Sequence, residues 1–211
     1  MMKMKKIVKG RSTKPVMVAE VKKSRTESKS RSILANAPFG PRRVQDLKAG
    51  DLVLTRDNGP QPIRWVGTKT VEGRGNLAPI TFAKGSIGNS HALQVSPQHR
   101  MLINDYRADL LFGQREVIAA ASFLINGSDI TQQETDSVTY YHLLFDHHEI
   151  IKSAGAWSES YQPGDYSLTG LGPEAREEVF ALFPELRSDP GAFGPSARQS
   201  LTCGSARLLV A

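Results

Sequence analysis

Short apolar runs separated by turn residues dominate the hydrophobic pattern of this chain. Runs such as "LAPITFA", "ALQVS", "RMLIN" and "VTYYHLLF" are rich in branched and aromatic side chains, and Gly, Asn and Pro stand between them. Branched and aromatic residues favour strands, and short strands spaced by roughly 8–12 residues are typical of closed or sandwiched β structures. The pattern therefore predicts an all-β body.

Three further segments refine this prediction. The runs "DLVLT" and "PIRWVG" flank residues 57–60, whose Asn-Gly pair is a strong hairpin signal. The apolar run in "REVIAAASFLING" fits either a short helix or a buried strand. The segment "GPEAREEVFALFPEL" predicts one helix near residues 173–183, because Pro173 suits its first position and Pro184 its end. Apolar residues recur along it at helical spacing, so we expect one face to pack on the β body.

The net charge of +6 is concentrated at the N-terminus. Residues 1–32 contain eleven Lys or Arg and two acids, whereas the rest of the chain contains 16 basic and 19 acidic residues. A segment so polar, with no periodic apolar face, predicts a basic, disordered leader over residues 1–27. Such a leader could bind acidic surfaces or nucleic acid, although it lacks the aromatic side chains on which bases stack.

Composition also limits the class of protein. The 211 residues suffice for one sizeable core, and no apolar run approaches the roughly 20 residues that span a bilayer. No apolar segment follows the charged start, so we expect a soluble protein that is cytoplasmic or exported without a Sec signal peptide. The only cysteine, Cys203, excludes an intramolecular disulfide and a thiolate zinc site, and we expect no cofactor.

One irregularity interrupts the apolar run "ALQVSPQHRMLI", residues 92–103. Strand interiors avoid proline because it cannot donate to the hydrogen-bond ladder, so Pro97 predicts a break in the strand. Such breaks often lie next to active sites, where they redirect a side chain. Ser96 and His99, which flank this break, are therefore candidates for a functional site.

Three stretches occur in order along the chain: "GPRRVQDLKAGDLVLTRDNGPQPIRWVG", "VSPQHRML" and "YHLLFDHHEIIKSAGAWSESYQPG". Together they resemble the bacterial Hint domain, the Hedgehog/intein module, and within it a proteobacterial subgroup. The resemblance covers roughly residues 28–211. It implies a horseshoe-like all-β Hint fold with pseudo-twofold symmetry over residues 28–161. An extension over residues 162–211 would follow, with the predicted helix packed on the Hint body.

The resemblance also implies a reaction and its residues. Members of the family cleave or rearrange their own chain, because a nucleophile at the first residue of the domain attacks the preceding carbonyl. The implied nucleophile in this sequence is Ser28, which would form an ester by an N-to-O acyl shift. Ser96 and His99 match a Thr-x-x-His motif that polarises the scissile peptide, with serine in place of threonine. His148 matches a second histidine that assists proton movement. The substrate would be the chain itself, and water or a small nucleophile would be the acceptor.

The start of the implied domain departs from the family pattern. Ser28 stands where most members carry cysteine, and the aromatic and glycine residues that usually follow the nucleophile are missing. A serine hydroxyl is far less acidic than a thiol, so it depends more on a neighbouring base. Ser30 and Ser32 are alternative nucleophiles.

The end of the implied domain departs from the pattern as well. The positions of the His-Asn-nucleophile group of splicing inteins read Glu159, Ser160 and Tyr161 here. Without asparagine there is no cyclisation route, so we expect cleavage without splicing. Tyr141 also lies where an intein would often place an assisting aspartate.

Two alternatives stay open. A Hint fold that has lost its nucleophile would be a structural or interaction scaffold within an exported protein system. His142, His148 and Glu149 are side chains of types that bind zinc. Adjacent residues on a strand point to opposite faces, however, so His147 and His148 could not share one ion, and we expect no metal site.

Overall fold

The computed structural model describes residues 18–21, 34–37 and 40–210, and strands form most of its regular structure. This strand-rich architecture confirms the predicted β body. The strands are β1 (Val18–Val21), β2 (Leu34–Ala37), β3 (Gly40–Arg43), β4 (Leu52–Leu54), β5 (Pro60–Pro62), β6 (Trp65–Gly73), β7 (Ile80–Phe82), β8 (Leu93–Val95), β9 (Arg100–Asn104), β10 (Glu116–Ala120), β11 (Ile130–Gln132), β12 (Thr135–Leu144), β13 (Ile150–Ser153), β14 (Ala156–Glu159) and β15 (Gln199–Ser200).

The described residues also contain four α-helices: α1 (Tyr106–Phe112), α2 (Asp165–Thr169), α3 (Pro173–Leu182) and α4 (Cys203–Val210). The prediction of a single helix is therefore wrong in number, although α3 occupies the predicted place and begins at Pro173. The unpredicted α1 has only seven residues, too few for an apolar periodicity to show. Local signals fix its ends, because the Asp105 side chain accepts a hydrogen bond from the Arg107 N–H and Gly113 ends it with a φ of 66°.

Two large sheets and one hairpin organise the strands. The six-stranded sheet has the order β11-β7-β8-β1-β12-β6, and the seven-stranded sheet has the order β15-β10-β9-β14-β13-β2-β3. Neighbours pair antiparallel except β15, which pairs parallel with β10. In the second sheet β14 lies between β9 and β13. This order brings together chain segments that are far apart in sequence.

The hairpin predicted around residues 57–60 is confirmed, but its second strand is shorter than expected. β4 pairs with β5 across the turn, where Gly59 has a φ of 65°. The run "PIRWVG" does not form one strand, because β5 ends at Pro62 and β6 begins at Trp65. The ambiguous run "REVIAAASFLING" begins as the buried strand β10 and continues as a 3-10 turn, Ala121–Phe123.

The leader differs from the expectation of disorder at four residues. Val18–Val21 form β1, whose backbone pairs with β12 on one side and with β8 on the other. Branched residues favour strands, and a place between two strands gives hydrogen-bond partners to both backbone edges. These four residues are the part of the predicted leader that the structure describes, and for the other residues disorder stays a prediction. The rest of residues 1–27 lies outside the described residues.

Three apolar clusters form the core of the described residues, and the second joins the β body to the C-terminal extension. The second cluster contains Trp65, Leu144, Tyr161, Leu168, Val179, Leu186 and Phe193. Val179 of α3 is fully buried in it and Ala175 packs against it, whereas Leu182 is 40% exposed and does not belong to the packing face. The Trp65 indole N–H also donates to Oε2 of Glu178 at 2.6 Å. No helix in the described part of the chain is long and apolar enough to cross a membrane.

Candidate active site

A buried turn between β8 and β9 carries the first candidate histidine. β8 ends at Val95 and β9 begins at Arg100, so residues 96–99 form the predicted irregularity. The His99 N–H donates to the Ser96 carbonyl at 3.1 Å, and the Ala121 N–H donates to the His99 carbonyl at 2.9 Å. These backbone bonds fix the turn, so its side chains have defined positions.

The His99 ring is a buried imidazole that is neutral at pH 7. The residue is 2% exposed, and within the described part of the chain neither ring nitrogen has a hydrogen-bond partner. Burial lowers the pKa of His99 to about 4; the Glu159 charge opposes this shift, and Arg100 and His148 add to it. A neutral imidazole carries one N–H donor and one lone pair, so this ring can both give and accept a proton.

Strand register brings His148 and Glu159 to the same place. β9 and β14 pair through Met101 and Ser158, and β13 and β14 pair through Ile150 and Glu159. His148 lies in the loop just before β13, and its Nε2 atom lies 3.2 Å from Oε2 of Glu159. Both side chains are fully buried, so this contact is shielded from solvent.

Glu159 is the charge around which the site is arranged. Its Oε1 accepts the backbone N–H of Arg100 at 3.0 Å, and its Oε2 accepts the Arg100 guanidinium at 3.0 Å. A buried carboxylate needs such partners, because water does not solvate it. From the sequence, Glu159 was identified only as a position without the splicing asparagine, and this role was not predicted. The available signal was an acid inside the strand run "AWSES", and Arg100 gave none beyond its place after His99.

The remaining predicted site residues are not all placed by the structure. Ser96 is 4% exposed and opens the turn that ends at His99. Ser28 and the alternatives Ser30 and Ser32 lie outside the described residues. The structure therefore brings His99 and His148 to one site around Glu159, with Ser96 in the same turn as His99.

His142 belongs to an aromatic stack. Its ring centroid lies 6.4 Å from that of Trp65 and 4.7 Å from that of Tyr161. The Glu149 carboxylate, which the zinc alternative also needs, accepts the side-chain amide of Asn58 at 2.8 Å. Across residues 18–21, 34–37 and 40–210, no three His, Cys, Asp or Glu side chains are grouped so as to hold a metal ion.

His147 and His148 do not point to opposite faces of a strand, as predicted, because neither residue lies in a strand. His147 is exposed and His148 is buried. The loop conformation, and not the alternation of a strand, therefore leaves one of these neighbouring histidines exposed and the other buried.

A segment near the C-terminus also contacts the site, and the sequence did not predict this contact. The backbone N–H of Ala197 donates to Nδ1 of His148 at 2.9 Å, and the Ser196 hydroxyl lies 3.3 Å from the same nitrogen. This segment follows the Gly/Pro-rich loop after α3, which carries no pattern that could link it to a distant histidine.

A family model described as "Hint domain" matches residues 31–165 of this chain. Among solved structures, a bacterial intein-like domain from Clostridium thermocellum is similar at 11% identity and a TM-score of 0.46, over 71% of this chain and 99% of that chain. A variant of the MchDnaB-1 intein is similar at 15% identity and a TM-score of 0.41, over 62% and 96%. A splice-inactive variant of the AceL NrdHF class 3 split intein is similar at 13% identity and a TM-score of 0.41, over 71% and 98%. No curated protein sequence matches the chain.

Proposed function

Because this chain belongs to the Hint domain family, whose model matches residues 31–165, we propose that it is a self-processing module that cleaves its own chain without splicing. The proposal rests on the protonation state and the surroundings of His99. This buried imidazole is neutral at pH 7, and among the described residues neither of its ring nitrogens has a hydrogen-bond partner. Perturbed titratable groups that lie beside other charged or proton-carrying groups are typical of catalytic sites.

In the first step, the Ser28 hydroxyl oxygen attacks the carbonyl carbon of Glu27. The peptide C–N bond breaks, the hydroxyl proton moves to the leaving nitrogen, and an ester joins the Glu27 carbonyl to Ser28 Oγ. The Ser28 α-amino group is then free. A serine hydroxyl needs a base and the amide nitrogen needs an acid, and a neutral imidazole such as that of His99 can serve as both in turn.

In the second step, water attacks the ester carbonyl. The C–O bond to Ser28 Oγ breaks, and a proton from the water returns to the serine oxygen. The products are residues 1–27 with a new carboxylate and a fragment that begins with Ser28. His148, which lies 3.2 Å from the Glu159 carboxylate, is the second group that moves protons in this reaction.

The residues at the end of the implied domain support cleavage in place of splicing. The Ser160 hydroxyl accepts the Glu149 N–H at 2.9 Å, and the Glu159 carboxylate is bound by Arg100. None of Glu159, Ser160 and Tyr161 has the side-chain amide nitrogen that asparagine cyclisation requires. The ester is therefore resolved by water or a small nucleophile.

Intact-mass spectrometry of the purified protein, incubated with and without hydroxylamine, tests the proposal. Hydroxylamine attacks esters much faster than amides, so it traps even a slow acyl shift. We expect a fragment that begins at Ser28, and we expect it to disappear in His99→Ala. His147→Ala is the matched control, because His147 is exposed and should leave cleavage unchanged.

Single alanine variants at Ser28, Ser30 and Ser32 identify the nucleophile, since only the true one abolishes the fragment. One uncut mass in every sample would overturn the proposal and leave a Hint scaffold without activity. A fragment that persists in His99→Ala would instead remove His99 from the mechanism. His99→Gln, which keeps the side-chain size, guards against loss of the fold in the alanine variant.

A further inference from the structure

The C-terminal extension contributes a hydrogen bond to the His148 ring. The Ala197 N–H donates to Nδ1 at 2.9 Å, and Ala197 lies beyond residue 165, where the match to the family model ends. A backbone N–H can only donate, so Nδ1 must present its lone pair. The proton of the neutral ring is therefore on Nε2, which lies 3.2 Å from the Glu159 carboxylate.

Arg198 fastens this segment to two parts of the β body. Its guanidinium donates to both carboxylate oxygens of Asp57, at 2.7 Å and 3.0 Å, and to Oε2 of Glu116 at 2.9 Å. Glu116 is itself paired with Arg56, so Arg198, Asp57, Glu116 and Arg56 form a four-residue ionic network. The Arg198 side chain is 21% exposed, and a bidentate guanidinium pair in this setting holds a defined geometry.

Backbone pairing fixes the segment on its other side. β15 pairs parallel with β10, and the Leu201 N–H donates to the Ile118 carbonyl at 2.8 Å. The chain from residue 196 to residue 201 is thus anchored at Arg198 and again at Leu201. Ala197 precedes Arg198 in the chain, so the loss of the Arg198 ion pairs would also displace the Ala197 N–H from His148.

We propose that Arg198 is a positioning residue of the candidate active site, which holds the Ala197 N–H against His148 and so keeps the imidazole proton on Nε2. Its effect on cleavage rests on the proposed self-processing function, but its effect on the imidazole does not. The extension then contributes to the site, because Ala197 and Arg198 lie outside the region that the family model matches.

Nitrogen-15 NMR of the histidine rings at pH 7 tests the proposal without any reaction. Long-range proton–nitrogen correlations distinguish the protonated ring nitrogen from the one that carries the lone pair. In the full-length wild-type chain we expect His148 as a single form with the proton on Nε2. In Arg198→Ala, and in Ala197→Pro, which lacks the N–H, we expect a mixture of the two neutral forms.

Arg187→Ala is the matched control, because Arg187 also belongs to the extension and pairs with a carboxylate, that of Glu177, but is 56% exposed. We expect it to leave the His148 signals unchanged. Ala197→Pro removes the donor and keeps every side chain of the ionic network, so it tests the hydrogen bond if Arg198→Ala fails to fold. A single Nε2-protonated form that persists in both variants would overturn the proposal.

Cleavage rates provide a second readout. We expect Arg198→Ala and Ala197→Pro to cut about ten- to a hundredfold more slowly than the wild type, a typical cost of misplacing a catalytic group. If the His148 spectrum changes in both variants but the wild-type chain never cleaves, the positioning role is supported and only the self-processing function is refuted. Normal cleavage with an unchanged spectrum in both variants refutes only the positioning role.

Discussion

Acid should destabilise this protein through His99, and the effect can be isolated by one substitution. The pKa of His99 is about 4 in the folded chain, against an ordinary value of 6.5, chiefly because the ring is buried. A histidine with a lower pKa in the folded state binds fewer protons there than in the unfolded chain. Stability is therefore complete above pH 6.5 and is lost as the pH falls through the interval toward 4.

The size of the effect follows from the two pKa values. Between pH 7 and pH 5 the unfolded chain becomes almost fully protonated at this residue, while the folded protein stays mostly neutral. Linkage gives a loss of about 2 kcal/mol in the free energy of unfolding over this interval, and about 3 kcal/mol by pH 4. We confine the comparison to pH 7 and pH 5, where carboxylates with lowered pKa values, such as that of Glu116, remain ionised.

Urea unfolding at both pH values, for the wild type and for His99→Gln, measures this contribution. Glutamine has no charge to gain, so the variant should lack the loss of about 2 kcal/mol that His99 causes. Every other titrating group is present in both proteins and cancels in the difference between the two pH dependences. Equal pH dependences in the two proteins would refute the reasoning that His99 is held neutral by burial.

Two further substitutions test the packing around the site. An added Cβ at Gly67 would lie 2.0 Å from the Trp65 ring, so we expect Gly67→Ala to lower the free energy of unfolding by about 2 kcal/mol in urea titrations. We expect Glu159→Gln to cost about 3 kcal/mol, because Arg100 then loses its buried carboxylate partner, whereas the exposed Glu177→Gln should cost under about 1 kcal/mol. Equal costs at the two glutamates would contradict the arrangement around Glu159.

Local signals predicted the elements that depend on neighbouring residues. Pro173 gave the start of α3 correctly, and the Asn-Gly pair gave the hairpin between β4 and β5. Pro97 gave the break between β8 and β9, because proline excludes a continuous ladder whatever surrounds it. Each of these signals acts within a few residues, so the sequence alone was sufficient.

Features that depend on distant residues could not be predicted in this way. In the sequence, Glu159 is an acid in an unfavourable position within a strand. Its partner Arg100 is supplied by the register of β9 and β14, which the sequence does not show. The contact between Ala197 and His148 joins positions 49 apart, through a loop with no periodic pattern. The sequence favoured disorder for the segment that contains β1 because that segment is polar, and the partners β8 and β12 lie far along the chain.

Because Ala197 lies late in the chain, the site is completed late during synthesis. Chains emerge from the ribosome N-terminus first, at about 5–20 residues per second. Residues 96–100 and 148–159 are therefore made seconds before residue 197, which supplies the N–H donor to Nδ1 of His148. The β body can assemble around His99 and Glu159 while the imidazole of His148 is still free to exchange its proton between nitrogens. The complete site forms only after the segment that fixes this proton has been translated.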